Sequence, residues 1–238
     1  MKSLVIILGG SGYLGSAVTR HFLSQQAHYT VVPLDISGTE IKVDLRDEKE
    51  LSKAFSAAVA GRTFTDVSLV NCVSSTVFTH SFERTAEEIA EVLFANVGIT
   101  VIASNAFAQI CEKMGWPGQI VNVSSIFSKH APRFEIYAEL SRRSSEVYGA
   151  SKAGVEQLTR YYAKFLGKQR IRVNCVAPGG IYDPKVHSEG FENLYGEATA
   201  LGRMVRVTEV VDAVDFLVSK KSSAITGVTL EVDCGYGL

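Results

Sequence analysis

A tyrosine and a lysine stand four residues apart in Tyr148-Gly-Ala-Ser-Lys152, which puts them on one face of a helix. A phenol left alone titrates near pH 10, about three units too high for proton transfer at neutrality. An ammonium beside the ring stabilises the phenolate, and the positive ring of an oxidised nicotinamide would do the same. Such a pair suits a reaction in which a proton moves at one atom while a hydride moves at another. By itself the spacing equally describes a surface Tyr–Lys pair, so its company decides. Gln119-Ile-Val-Asn-Val-Ser-Ser125 is an apolar run ending in two hydroxyls. Asn96 lies in a long apolar helical pattern, where a lone amide must find partners. Asn71 closes Leu-Val-Asn, and Ala-Pro178-Gly179-Gly-Ile181 closes another apolar run.

A second cluster reads as a phosphate site. Gly9, Gly12 and Gly15 follow the first apolar run and open a helical pattern, with Ser11, Tyr13 and Leu14 between them. Glycines allow the tight turn, the approach of backbone to a pyrophosphate and close helix–sheet packing, while the helix N-terminus offers unpaired N–H groups and a positive dipole end. Asp35 comes twenty residues after Gly15, at the end of the second apolar run, where a carboxylate can accept both ribose hydroxyls of an adenosine. The same carboxylate repels a 2′-phosphate, and no Arg or Lys is adjacent in sequence, so NAD is expected over NADP. Asp44, with Leu45, follows a further short strand and either meets the adenine edge or acts as a cap or turn residue.

These residues need a frame. Short β-branched runs at 4–8, 30–34, 67–72, 119–123, 172–176 and 228–232 alternate with helical patterns at 13–25, 48–60, 86–113, 149–166 and 208–218. The runs are nearly continuous in apolar residues, as strands covered on both faces require. The alternation predicts an α/β fold: a single Rossmann-type doubly wound domain over 1–238, with a central parallel sheet of about seven strands flanked by helices. Ligands of such sheets bind beyond the carboxyl ends of the strands. The two irregular stretches, 126–147 and 179–202, follow strands and fall on that edge.

Composition limits the alternatives. The chain has 238 residues, 46% hydrophobic and 21% charged, which excludes a disordered chain and leaves room for a large core. A net charge of −1 argues against nucleic acid or an anionic membrane as partner. The opening apolar run stops at Gly9, short of a signal peptide, and no run suggests a membrane span, so a cytoplasmic protein is expected. Cys72, Cys111, Cys175 and Cys234 are far apart and read as small buried hydrophobes, with no metal expected.

Taken together, the order and spacing of these pieces resemble the short-chain dehydrogenase/reductase family from the first strand to the last few residues. The resemblance implies that Tyr148 is the general acid/base and that Lys152 binds the nicotinamide ribose and lowers the tyrosine pKa. It implies that Ser125 holds the substrate oxygen and Asn96 a water in the proton relay. Gly9 to Gly15, Asp35, Asn71, Val73, Pro178, Gly179 and Ile181 would line the cofactor site, with Ile181 meeting the carboxamide through its backbone. Ser124 is read as structural, its hydroxyl turned toward backbone. The chain departs from the pattern in places. Leu8 stands where a threonine is usual, the 9-12-15 glycine spacing resembles the extended branch of sugar-nucleotide epimerases and dehydratases, and Asp183 stands where a threonine is expected. Ser125 and Tyr148 lie 23 residues apart, which marks an insert. That insert, with Ala131-Pro-Arg-Phe-Glu-Ile-Tyr137 and Arg142-Arg143, resembles members tied to flagellin modification and surface polysaccharide (nonulosonic acid) pathways. Arg133, Arg142 and Arg143 would then recognise a phosphate or carboxylate, or else belong to a solvated loop. The expected activity is NAD(H)-dependent interconversion of a secondary alcohol and a ketone on a sugar-like or phosphorylated small molecule. An epimerase or dehydratase, or a non-catalytic NAD-sensing scaffold, is the alternative. The helices at 86–113 and 149–166 are more apolar than one solvated face requires, and the resemblance implies that they form the contacts of a homodimer or homotetramer.

Overall fold

The computed structural model describes residues 2–137 and 144–238. Strand β1 (Ser3–Leu8) shows why its run is continuous: Leu4, Ile6 and Leu8 enter one core while Val5 and Ile7 enter another. Successive side chains of a strand point to opposite faces, so a strand covered on both sides must be apolar at every position. The other strands are β2 (Tyr29–Asp35), β3 (Ile41–Lys42), β4 (Val67–Asn71), β5 (Gly118–Val123), β6 (Ile171–Pro178) and β7 (Thr229–Val232). They form one sheet of seven in the order β3-β2-β1-β4-β5-β6-β7, and every pairing is parallel.

The helices are α1 (Tyr13–Ser24), α2 (Glu48–Val59), α3 (Ala86–Leu93), α4 (Ile99–Met114), α5 (Glu146–Leu166), α6 (Glu189–Gly196) and α7 (Val207–Val218). One face of the sheet carries α2, α4 and α5 through Leu51, Phe55, Ile99, Phe107, Tyr162 and Leu166. The opposite face carries α1 and α7 through Val18, Phe22, Val210 and Val214. Strand order reverses between β1 and β4, which opens a crevice at the carboxyl ends of these two strands. A third, smaller cluster of Ile126, Ile136, Tyr195, Met204 and Tyr236 sits over that edge.

Three expectations about the helical patterns are corrected. The pattern at 86–113 is not one regular helix: Phe94–Gly98 is a π-turn between α3 and α4, and it contains Asn96. The stretch 179–202 is not irregular throughout, because it holds α6, whose N-cap Ser188 accepts the Phe191 N–H. The helical run Ala86–Met114 spans 29 residues and is apolar enough to cross a membrane, contrary to the expectation that no run is. It nevertheless packs on the sheet through Ala103 and Phe107 and buries Asn96 and Thr100, as a core helix does.

An ionic knot joins α6 to α7. Arg203 donates to both oxygens of Glu209 (2.6 and 2.8 Å), the Arg206 N–H donates to Glu209 (2.8 Å), and Arg206 pairs with Glu192 at 2.7 Å. The Arg203 guanidinium and the Arg206 N–H hold the Glu209 carboxyl down at about 2. An unfolded Glu titrates near 4.3, about two units higher. The group therefore stabilises the fold fully above that range and loses its contribution as pH falls from about 4.3 to about 2. Both side chains are about one-third exposed, which limits the contribution to about 1 kcal/mol or less. Glu209→Gln is expected to lower Tm at pH 7 by at most about 4 °C. By thermal scans, the gap between the two proteins closes near pH 2.

Candidate active site

Strand β5 delivers Ser124 and Ser125 to the carboxyl edge, and α5 begins beside them. Ser145 caps α5 by accepting the Tyr148 N–H at 3.0 Å, so Tyr148 already lies inside the first turn rather than before a helix starting at 149. One turn later Lys152 is 1% exposed. Its Nζ donates to the Val123 carbonyl at 3.0 Å and lies 5.6 Å from the centre of the Tyr148 ring. Ser125 is buried, and its Oγ accepts the Phe127 N–H at 3.2 Å, leaving the hydroxyl proton for another acceptor. Ser124 turns away from the edge: its Oγ donates to the Lys152 carbonyl (3.0 Å) and approaches Glu156 Oε1 (3.3 Å).

The two asparagines are placed as tethers. In the π-turn, Asn96 Nδ2 donates to the Ser75 carbonyl (2.9 Å) and to Ser151 Oγ (2.8 Å), while Oδ1 accepts the Ser75 N–H (2.8 Å). The amide is thus fully used to fix the loop after β4 against α5. The side chain is therefore not free to hold a relay water, and the Asn96 carbonyl, which accepts the Thr100 hydroxyl at 2.7 Å, keeps one lone pair for it. Asn71 is likewise buried, with Nδ2 donating to Thr100 Oγ1 (3.0 Å) and Oδ1 accepting the Val73 N–H (3.2 Å). It shapes the backbone at Val73 rather than presenting an amide to a ligand.

The glycines separate into those the fold needs and one it does not. Gly9 has φ +71°, and a Cβ there would lie 3.1 Å from the Cys72–Val73 backbone. A Cβ on Gly15 would lie 1.9 Å from the Gly9 carbonyl oxygen. Gly12, by contrast, has no neighbour closer than 3.4 Å to such an atom. It is the N-cap of α1 with no side-chain cap, so the first N–H groups of the helix lack partners among the described residues. A pyrophosphate seated there explains the absence of a side chain at Gly12 and satisfies those donors. The residues present therefore fit a dinucleotide. Gly10, which the sequence reading did not single out, is needed too, because a Cβ would meet Pro33 Cβ at 2.8 Å.

Around this turn the expected residues differ in role. Asp35 Oδ2 accepts the Ser11 N–H (3.0 Å) and the Ser11 hydroxyl (2.5 Å), and Oδ1 accepts the Ile36 N–H (2.8 Å), which holds the carboxylate beside the glycine turn. The ladder sets Lys42 opposite Asp35, a neighbour that sequence adjacency hides. Asp44 Oδ1 accepts from Arg46 N–H (3.0 Å) and Nε (3.3 Å), so it acts as the turn residue of its two readings. The Leu45 side chain is buried in the main core, which leaves only its backbone to line a ligand. Leu14 packs against the second core. Pro178 ends β6, Gly179 sits against Asp233, and Ile181 bridges to Val205, exposing its backbone to the edge. The Tyr13 hydroxyl donates to the Tyr182 carbonyl at 2.8 Å, linking the glycine turn to the segment after β6. Asp183 opens a turn, with Oδ1 accepting the Lys185 N–H, rather than extending a side chain along the cofactor edge.

Tyr148 and Ser125 share the floor of a cleft of about 790 Å³. Phe127, Ile136, Tyr137, His187, Phe191 and Tyr195 line it, with the Tyr137 and Phe191 ring centres 5.8 Å apart. Among the described residues, none of those lining it is Lys, Arg, Asp or Glu. Tyr195, which sequence reasoning missed, is 1% exposed, and its hydroxyl accepts the Gly180 N–H at 2.7 Å, pinning the turn after β6. Burial pushes its phenol well up from the ordinary value and pushes that of Tyr137 to about 12. Arg133 does not enter the cleft; its guanidinium lies 5.9 Å from the Tyr236 ring centre. Arg142 and Arg143 lie outside the described residues. The four cysteines are free thiols, and burial pushes those of Cys72, Cys111 and Cys175 to about 12, which makes them poor nucleophiles.

Comparison with known proteins agrees with this geometry. A family model described as enoyl-(acyl carrier protein) reductase matches residues 23–237. Post-translational flagellin modification protein A of Campylobacter coli is 36% identical over 157 residues, which is 66% of this chain and 60% of the relative's length. Bovine (Bos taurus) L-xylulose reductase is 30% identical over 99% of this chain and 91% of its own. The crystal structure of a short-chain dehydrogenase from Leptospira borgpetersenii with bound NAD+ superposes with a TM-score of 0.90 at 32% identity, covering 100% of this chain and 94% of that one. With its all-parallel sheet, its glycine turn and its Tyr–Lys helix beside a serine-ended strand, the chain belongs to the short-chain dehydrogenase/reductase family.

Proposed function

We propose that this protein is an NAD(H)-dependent oxidoreductase that interconverts a secondary alcohol and a ketone on a polar, sugar-like substrate. The observation that carries the reading is the shared cleft floor of Ser125 and Tyr148, with the Lys152 amine buried behind the tyrosine ring. The Ser125 hydroxyl would donate to the substrate oxygen and fix the reacting carbon. The Tyr148 hydroxyl would give its proton to that oxygen in reduction and take it back in oxidation. Lys152 would favour the phenolate and hold the ribose, and the Asn96 main chain would hold a water behind it. A nicotinamide seated along Gly9–Gly15, Asp35, Val73 and Ile181 would supply or accept the hydride. The crystal structure from Leptospira with bound NAD+ supports that cofactor. Asp35 favours NAD over NADP by charge repulsion, and Asp35→Ala is expected to narrow the ratio of NADPH to NADH dissociation constants by at least about tenfold in a fluorescence titration.

The match to L-xylulose reductase favours a neutral polyol or keto sugar over its phosphate. The test is NADH consumption over a panel of keto sugars, their phosphates and 3-oxoacyl thioesters. Turnover fastest with a neutral keto sugar is expected, and NADH consumed with none of them overturns the reading. The 9-12-15 glycine spacing supports a second reading, an epimerase or dehydratase, which would change a sugar with no net NADH consumed. We further propose a cytoplasmic homo-oligomer that acts on small molecules and has no nucleic-acid or membrane partner. The free thiols suit a reducing compartment. Tyr161, stacked on Phe165 and each 59% exposed on α5, suits a subunit contact that light scattering would reveal.

A further inference from the structure

Helix α5 carries a third polar residue on the flank of Tyr148 and Lys152, and no step above uses it. Glu156 is 3% exposed, one turn beyond Lys152. Its Oε1 accepts the Ser128 hydroxyl and lies 3.3 Å from Ser124 Oγ, whose one proton it shares with the Lys152 carbonyl. Its Oε2 faces the exposed Arg160 guanidinium at 4.0 Å. A carboxylate taken this far from water needs a reason, because burial of a charge with hydroxyls and only the more distant cations of Arg160 and Lys129 around it opposes folding.

The reason lies in what it grips. Ser124 and Ser128 are the two ends of a five-residue segment, and Ser125 lies between them. Within that segment the Ser128 N–H donates to the Ser125 carbonyl (2.9 Å), and the Phe127 N–H donates to Ser125 Oγ (3.2 Å). Ser124 also donates to the Lys152 carbonyl at 3.0 Å. Gly149 of α5 closes against the Phe127 carbonyl, where a Cβ would come within 2.8 Å. One carboxylate oxygen thus ties both ends of the Ser125 turn to the helix that carries Tyr148 and Lys152.

We infer that Glu156 is a positioning residue of the reaction, clamping the 124–128 turn to α5 so that the Ser125 hydroxyl and the Tyr148 hydroxyl converge on one substrate oxygen. The inference rests on the oxidoreductase reading. Loss of the clamp lets Ser125 drift, and a misplacement of about 1 Å lowers the rate by on the order of a hundredfold. The dinucleotide turn is held by other contacts and stays intact.

The test uses 2,3-butanedione as a minimal ketone probe with NADH. Glu156→Leu removes the acceptor and is expected to lower kcat by about tenfold to a hundredfold, with the NADH dissociation constant unchanged. Glu156→Gln keeps a carbonyl oxygen that can accept from both serines and is expected to restore kcat to within about threefold of wild type. Ser128→Ala, a mild surface-turn change, is expected to lower kcat by several-fold in the wild type and to have no further effect in Glu156→Leu. A merely structural glutamate would lower Tm in all three variants without separating Leu from Gln in kcat. Wild-type kcat in both folded Glu156→Leu and Ser128→Ala overturns the inference while Tyr148→Phe remains inactive. A wild-type protein inert toward butanedione, and equally inert in every variant, overturns the oxidoreductase reading and this inference with it.

Discussion

Tyr148→Phe is expected to lower kcat for ketone reduction by on the order of a thousandfold, with NADH binding and Tm close to wild type. The substitution removes one oxygen and keeps the ring. The described contacts that hold this part of α5 do not use that oxygen: Ser145 accepts the Tyr148 N–H, and the Tyr148 carbonyl accepts the Ser151 hydroxyl. Lys152 Nζ keeps its bond to the Val123 carbonyl. The residue is half-buried at the cleft floor, so little apolar packing changes. What disappears is the proton donor at the substrate oxygen, and water in the cleft is a poor replacement at neutral pH. Steady-state reduction rates beside a nicotinamide fluorescence titration separate the two effects. A large rise in the NADH dissociation constant with kcat preserved would assign Tyr148 to binding instead.

The second large effect belongs to the glycine turn. Gly15→Ala places a methyl group 1.9 Å from the Gly9 carbonyl oxygen, and the obstacle is backbone, which cannot rotate away as a side chain does. The helix must move off the turn. Overpacking of this kind destabilises by about 1–3 kcal/mol, or about 2–12 °C in Tm for a chain of this size. NADH binding is expected to weaken by at least about a hundredfold, because the N–H groups at the start of α1 no longer converge on one point. Gly12→Ala is the informative companion. Its methyl group meets nothing closer than 3.4 Å within the chain, so Tm should hold while NADH binding falls. Thermal scans and fluorescence titrations of the pair distinguish a glycine kept for the fold from one kept for the ligand.

The parallel sheet was legible because its strands are apolar at nearly every position, and both faces of β1 in fact enter separate cores. The Tyr148–Lys152 pair, Ser125 and the glycine turn were legible because each is a local spacing. Other features depend on chain segments far apart. A π-turn adds a residue to a helix without breaking its apolar pattern, so Asn96 read as part of one regular helix. Helix α6 is eight residues long and sits in a polar stretch, too short for a periodic signal, although Ser188 followed by Glu189 and Glu192 gave a cap and an acidic first turn. Arg133 reads as an anion ligand in sequence, but Tyr236, more than a hundred residues on, supplies the aromatic ring that it faces. Lys42 beside Asp35 and Tyr195 beneath Gly180 are neighbours created only by the sheet and by the cluster above its edge. Glu156 gave no signal at all, since a glutamate on a helix ordinarily faces water.

The central claim is that a ketone bound over Ser125 and Tyr148 receives hydride at carbon from the cofactor and a proton at oxygen from the tyrosine. The direct measurement is mass spectrometry of the alcohol formed from butanedione with NADH deuterated at C4 on its transferred face. The account predicts one deuterium on the carbinol carbon of each product molecule from the wild-type enzyme and almost no product from Tyr148→Phe. Alcohol formed without deuterium from either C4-labelled face of NADH, or formed equally fast by Tyr148→Phe, would contradict it.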